Sequence, residues 1–311
     1  MTRWTLNDIP DLTGKRFIVT GANSGTGFET AKVLASKGAA VTLATRNADK
    51  AEAAKRRILS IHPGASLRCE PLDLASQASV EAFADRMIWE NQPIEGLINN
   101  AGVMALPMRE ETVDGFEMQL ATNYLGHFAL TARLLPLLKA GRARVVQLSS
   151  VAHRRGRIRL DDLNYRTGYK PWPVYAQSKL AMLMFAIALD RRSRDGGWGL
   201  TSVAAHPGYA RTGLIANGPL ARSPIARVGM GLIYRPLIEP LISHSAAAGA
   251  LPILMAATWS QVTPGGYYGA TRLSELKGPP GPAQIMPQAQ DTAVADALWA
   301  ESERLTGLRF G

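Results

Sequence analysis

Short apolar runs recur along the first two-thirds of the chain, and helix-length segments with one apolar face separate them. Residues 16–20 form the first run and feed a glycine-rich turn at residues 21–27. Residues 28–37 then carry helical periodicity, with Ala31, Leu34 and Ala35 on one face and Gly38 as the stop. Residues 40–44, 66–72, 96–100, 144–149 and 201–205 are further strand candidates, each preceded by a helix-length stretch. Strands that alternate with helices predict an α/β architecture, a doubly wound parallel sheet of about seven strands flanked by helices on both faces.

The alternation runs without a linker to about Arg211, and no repeat of solenoid length is present. A single domain over residues 1–311 is therefore expected. Residues 213–243 depart from the pattern, being rich in Gly, Pro and Ile with Arg227 and Arg235 between the apolar stretches. This composition predicts a substrate-binding flap over a pocket, with an amphipathic surface resting on a membrane as the alternative. Residues 278–282 read as a turn-rich loop and residues 291–305 as a closing helix.

Composition narrows the picture further. With 46% hydrophobic and 19% charged residues the chain has the material for a buried core. The formal charge of +10 admits anionic partners, and its densest patch is Arg154, Arg155, Arg157 and Arg159. No nucleic-acid recognition motif accompanies it, so no nucleic-acid partner is expected. Cys69 is the single cysteine, which excludes an intramolecular disulfide and suits a reducing compartment. Its alternating surroundings predict a small core residue rather than a reactive thiol. The first 14 residues are polar, and no apolar run reaches the roughly 18 residues of a spanning helix. A soluble, cytoplasmic protein is expected, with peripheral membrane contact and homo-oligomers left open.

Three local patterns carry candidate chemistry. Gly21, Gly25 and Gly27, with Asn23, Ser24 and Thr26 between them, lie between a strand and a helix. There the backbone can turn tightly against a pyrophosphate, and a helix N-terminus favours its charge, as in a Rossmann fold. The second strand ends Thr45-Arg46-Asn47, with an arginine where an acid would bind a ribose 2′-hydroxyl. A guanidinium suits a 2′-phosphate, so Arg46 points to NADP(H) rather than NAD(H). Tyr175 and Lys179 stand four residues apart on one helical face, where an ammonium lowers the pKa of a neighbouring phenol.

Taken together and in order, these motifs resemble the short-chain dehydrogenase/reductase family across nearly the whole chain. The resemblance rests on Thr20-Gly21-x-x-x-Gly25-x-Gly27, Asp73, Asn99-Asn100-Ala101-Gly102, Asn123, Ser149-Ser150, Tyr175-x-x-x-Lys179 and Pro207-Gly208. Within that family, residues 123–128, 149–153 and 206–208, with Arg211 and Thr212, are similar to the retinol-dehydrogenase and WW-domain-oxidoreductase group. Light-dependent protochlorophyllide reductases share the layout more distantly. The resemblance implies that Tyr175 exchanges a proton with the substrate oxygen while Ser150 hydrogen-bonds that oxygen. It implies that Lys179 lowers the Tyr175 pKa and holds the nicotinamide ribose, and that Asn123 holds a water of the proton relay. Asp73 and Leu74 would face the adenine, Asn100, Ala101 and Gly102 would line the cofactor groove, and Pro207 and Gly208 would border the nicotinamide. Thr26 replaces the family's usual aliphatic residue, a change expected to matter little where the backbone makes the contact. Ser150 precedes Tyr175 by 25 positions, a separation shared by the retinol-dehydrogenase-like group.

The expected function is hydride transfer between NADP(H) and a hydrophobic carbonyl or alcohol, with Tyr175 as proton donor or acceptor. The competing class is a non-catalytic dinucleotide sensor or scaffold on the same fold. His127, His153 and His206 match no metal-binding spacing, and no metal is expected. Met182 and Met184 are expected in the core, and Asp161-Asp162 in a solvated turn.

Overall fold

A computed structural model describes residues 4–209 and 244–310. The expected flap at residues 213–243, and Arg211 and Thr212 with it, lie outside the described residues.

In chain order the elements are β1 (Arg16–Thr20), α1 (Gly25–Ser36), β2 (Ala40–Thr45), α2 (Ala48–Ile61), β3 (Leu67–Pro71), α3 (Gln77–Glu90) and β4 (Gly96–Asn99). A short turn at Met118–Leu120 and a π-helix at Ala121–Leu125 then lead into α4 (Gly126–Arg133) and α5 (Leu135–Ala140). The chain continues with β5 (Arg144–Leu148), α6 (Pro171–Asp195), β6 (Thr201–Ala205), α7 (Ala246–Thr258), β7 (Tyr267–Arg272), β8 (Lys277–Pro282) and α8 (Thr292–Thr306).

Among the described residues, eight strands form one sheet in the order β3-β2-β1-β4-β5-β6-β7-β8. Seven are parallel, and β8 pairs antiparallel with β7. The strand order reverses between β1 and β4, which opens a crevice beyond the carboxyl ends of those strands. The expected α/β doubly wound sheet is thus present, with one strand more. Two strands lie beyond the six stretches read from the sequence, β7 and, at the stretch expected as a loop at residues 278–282, β8. Prolines 279, 280 and 282 obscure it in the sequence, yet a proline is tolerated on an edge strand, where a missing N–H breaks no inner ladder.

Strands buried on both faces explain the near-continuous apolar runs. Phe17, Val19, Val41, Ile98, Val146 and Val203 pack with α1 and α7 on one side, while Ile18, Leu97, Val145 and Ala204 pack with α3, α4, α6 and α8 on the other. Asp291 accepts the Val294 N–H and starts α8 where the closing helix was expected. From α8 Trp299 packs its ring on Phe128 and Phe185. Met182 and Met184 are buried in this core as expected. Cys69 is half-buried on β3, and burial pushes its thiol up to about 11, away from thiolate chemistry. At 25 residues α6 is long and apolar enough to cross a bilayer, but most of its apolar stretch is buried inside the molecule.

Candidate active site

The glycine turn closes on the end of β4. Gly21 donates its N–H to the Ala44 carbonyl at 2.8 Å and α1 begins four residues later. A Cβ at position 27 would lie 2.5 Å from both the Gly21 carbonyl oxygen and Asn100 Nδ2, so only glycine lets α1 come this close. The Asn100 side chain is fastened in place, donating through Nδ2 to the Thr20 carbonyl at 2.8 Å and accepting from Thr26 Oγ1 at 2.9 Å. This corrects the expectation that Thr26 matters little, because its buried hydroxyl bonds the groove residue itself. Thr20 Oγ1 in turn accepts the N–H groups of Asn100 and Ala101, both at 2.9 Å. Ser24 is the backbone N-cap of α1 but its hydroxyl makes no capping bond, and Asn23 beside it is half-buried. The first-turn N–H groups of α1 thus draw no partner from that side chain.

Around this turn stand the other expected groove residues. Arg46 is exposed just past β2. Asp73 is half-buried after β3 and accepts the Ala75 N–H at 3.0 Å. Leu74 is buried, its side chain packed in the core against Gly126. Gly102 lies against the far end of the crevice, where a Cβ would be 2.9 Å from Asn123 Oδ1 and 3.4 Å from Lys179 Nζ.

One turn of α6 carries Tyr175 and Lys179, both buried. Lys179 Nζ stands 5.9 Å from the Tyr175 ring centre and donates to the Leu148 carbonyl at 2.9 Å. The Ser150 side chain stands beside the Tyr175 phenol and acts to lower its pKa. Its neighbour Ser149 donates to the Lys179 carbonyl at 2.7 Å, so the two adjacent hydroxyls are divided between the phenol and the helix backbone. Burial pushes the phenol up to about 12, with only Ser150 pulling it back. Burial also pushes Lys179 down to about 8. The expected lowering of the phenol by its neighbouring cation does not set its pKa here; the loss of water around each group does.

Asn123 lies in the π-helix ahead of α4, a local widening that often accompanies functional sites. Its Oδ1 accepts the Val103 N–H at 2.8 Å, and its Nδ2 donates to the Val103 carbonyl at 3.0 Å and to Ser178 Oγ at 2.9 Å. Asn123 is thereby bound to both the loop after β4 and α6. Asn123 Oδ1 and Lys179 Nζ thus both flank Gly102 just past β4, with Tyr175 one turn away along α6.

Residues 15–220 match the short-chain dehydrogenase family. The chain belongs to that family. Human retinol dehydrogenase 13 is 41% identical over 297 residues, covering 95% of this chain and 85% of the relative. Human retinol dehydrogenase 12 is 37% identical over 302 residues, covering 96% and 88%. The solved structure of an uncharacterised protein from Mycobacterium paratuberculosis is 39% identical, covers all of both chains and superposes with a TM-score of 0.81.

Two features of this short-chain dehydrogenase were not visible as site residues in the sequence. His127 is fully buried, with Nδ1 2.9 Å from the Asn123 carbonyl and Nε2 2.9 Å from Thr20 Oγ1. A carbonyl only accepts, so the ring proton sits on Nδ1 and the Thr20 hydroxyl donates to Nε2. Burial pushes this ring down to about 3, which keeps it neutral. His127 thus joins the glycine turn to Asn123, a role that gives it an occupation other than metal binding. Gln119, also fully buried, accepts the Ala105 N–H at 2.7 Å and donates to Tyr169 Oη at 3.1 Å and to the Pro171 carbonyl at 3.3 Å. It ties the loop after β4 to the entry of α6. The glycine-turn partner Thr20 was findable as a polar residue ending an apolar strand, whereas nothing local distinguishes Gln119.

Proposed function

We propose that this short-chain dehydrogenase moves a hydride between NADP(H) and a hydrophobic carbonyl or alcohol, with reduction as the favoured direction. The observation that carries the reading is the Tyr175 phenol, beside Ser150 and buried one turn from the Lys179 ammonium. The phenol is protonated near neutrality and would give its proton to the alkoxide oxygen that hydride transfer forms, a stronger base than a phenolate. Ser150 would steady the charge that develops on that oxygen, and the ammonium would offset the phenolate that the transfer leaves. The Asn123 bonds to Ser178 and Val103 hold the surroundings of Lys179 in one arrangement.

The residues present fit a nicotinamide dinucleotide. The close approach at Gly27 and the uncapped first turn of α1 suit a pyrophosphate, and the exposed guanidinium of Arg46 suits a 2′-phosphate. Asp73 would face the adenine and Lys179 the nicotinamide ribose. When bound, the cofactor supplies or accepts the hydride. Relatives named for retinol, and the half-exposed Trp172 ring edge-on to Tyr175 at 6.1 Å, support an elongated apolar substrate.

A panel of hydrophobic aldehydes, ketones and alcohols, followed by nicotinamide absorbance with NADPH and NADH in turn, tests the proposal. Turnover of an apolar aldehyde or ketone with NADPH is expected. Tight NADPH binding without turnover of any panel member would favour the sensor instead.

A further inference from the structure

The hairpin turn between β7 and β8 holds three successive non-glycine residues in the left-handed region, Leu273, Ser274 and Glu275, with φ of 49°, 54° and 68°. Each such residue costs on the order of 1 kcal/mol, and a run of them persists only where the surroundings over-determine it. Packing does not hold Leu273, which is exposed. The Leu276 N–H closes the turn on the Leu273 carbonyl at 3.0 Å, and the Glu275 carboxylate fastens it to the rest of the molecule. Oε2 forms an ion pair with Arg154 Nη2 at 2.8 Å and faces His206 Nε2 at 3.3 Å, neither contact having hydrogen-bond geometry, and Oε1 accepts the Gln284 N–H at 2.8 Å. Arg154 Nη1 also donates to the Ser274 carbonyl at 3.2 Å.

Both partners of that carboxylate lead to the active site. Arg154 closes the 3₁₀ turn Val151–Arg155, whose N-cap is Ser150. In the same turn the Ser150 carbonyl accepts from the His153 N–H at 3.0 Å and from its Nδ1 at 2.7 Å. His206 is fully buried and accepts the Gly208 N–H on Nδ1 at 3.1 Å, which puts its ring proton on Nε2, toward Glu275. Gly208 has φ of 66°, and a Cβ there would lie 2.6 Å from the Leu276 carbonyl of the hairpin. Tyr209 donates to that carbonyl at 2.8 Å, and His244 Nε2 donates to the Pro207 carbonyl at 2.6 Å.

We propose that Glu275 is a positioning residue that joins the turn carrying Ser150 to the loop carrying Pro207 and Gly208. The proposal rests on the functional reading above and adds a residue to it. One carboxylate aligns the hydroxyl that meets the substrate oxygen with the loop expected to border the nicotinamide. It touches neither substrate nor cofactor and acts through Arg154 on one side and His206 on the other.

The test compares Glu275→Gln, Arg154→Met and the double variant by kcat, NADPH affinity, Tm and amide exchange at Ala152 and Gly208. Glu275→Gln is expected to lower kcat by about tenfold to a hundredfold, weaken NADPH binding severalfold and speed exchange at both amides. Arg154→Met should lower kcat and speed exchange at Ala152, with NADPH affinity and Gly208 unchanged, because His206 keeps its carboxylate. The double variant should turn over no more slowly than Glu275→Gln. A drop in Tm with kcat, NADPH affinity and both exchange rates unchanged in the folded protein would overturn the proposal in favour of a stabilising bond alone. If Glu275→Gln does not fold, unchanged kcat and Ala152 exchange in Arg154→Met would do the same. If the parent protein binds no NADPH and turns over no substrate, the functional reading fails. The exchange rates still decide whether Glu275 holds the two segments.

Discussion

The Lys179 ammonium lies 5.9 Å from the centre of the Tyr175 ring, and burial drives the two groups in opposite directions. The phenol rises to about 12 and the ammonium falls to about 8, so each is moved toward its neutral form. At neutral pH the phenol holds its proton and Lys179 is still mostly charged. The site can therefore give a proton and stabilise what remains.

The buried ammonium destabilises the folded protein. A lysine whose folded pKa is depressed costs stability in full below that value, and the cost vanishes as pH rises toward the unfolded value of 10.5. A fall from 10.5 to about 8 corresponds to about 3 kcal/mol, from which about 1 kcal/mol is subtracted for the lost bond to Leu148. Lys179→Met is therefore expected to be more stable by about 2 kcal/mol near neutral pH in urea denaturation, and inactive. The stability difference should close as the pH approaches about 10. A variant less stable than the parent at neutral pH would contradict the assignment of a desolvated ammonium.

Tyr175→Phe keeps the ring that meets Trp172 and removes the hydroxyl that stands beside Ser150. Turnover is expected to fall by about 10²–10⁴-fold with NADPH affinity nearly unchanged. Steady-state kinetics beside a fluorescence titration of NADPH reads both. Full turnover in this variant would move the proton donor elsewhere.

Arg46→Asp removes an exposed guanidinium at the end of β2 and places an acid where a ribose 2′-hydroxyl would be bound. The preference for NADPH over NADH should be reversed or erased, a change of roughly tenfold to a hundredfold in relative affinity. Equal binding of the two cofactors by the parent protein would remove the basis for this assignment.

Thr26→Val keeps the shape of the residue and deletes the donor to Asn100 Oδ1. The loss is expected to cost about 1 kcal/mol in stability and to weaken cofactor binding by loosening Asn100, both measurable by thermal denaturation with and without NADPH. An unchanged Tm and affinity would restore the view that only the backbone of this position matters.

Much of this arrangement was legible in the sequence because its information is local. A strand, three glycines and a helix in succession leave one way to turn, and Tyr175 and Lys179 four residues apart on a helix must share a face. The alternation of apolar runs with amphipathic segments likewise leaves little choice but a parallel sheet covered on both sides. The absence of an acid after β2 is visible residue by residue. These features depend on φ, ψ and spacing, which neighbouring residues dictate.

What the tertiary structure decided depends on partners far apart in the chain. Ser149 and Ser150 are indistinguishable by type, and only the packing of α6 against β5 sends one hydroxyl to the Lys179 carbonyl and the other to the phenol. The Thr26 hydroxyl meets Asn100 across 74 residues, and Glu275 meets Arg154 from a strained turn over a hundred residues away. The direction of the Tyr175 pKa followed from burial, which no spacing reveals, and not from the charge beside it. The prolyl strand reads as a loop in the sequence because its fitness depends on lying at an edge, which is a property of the sheet and not of the residues. Local geometry is written in consecutive residues, whereas desolvation and long-range hydrogen bonding exist only once the chain has folded around them.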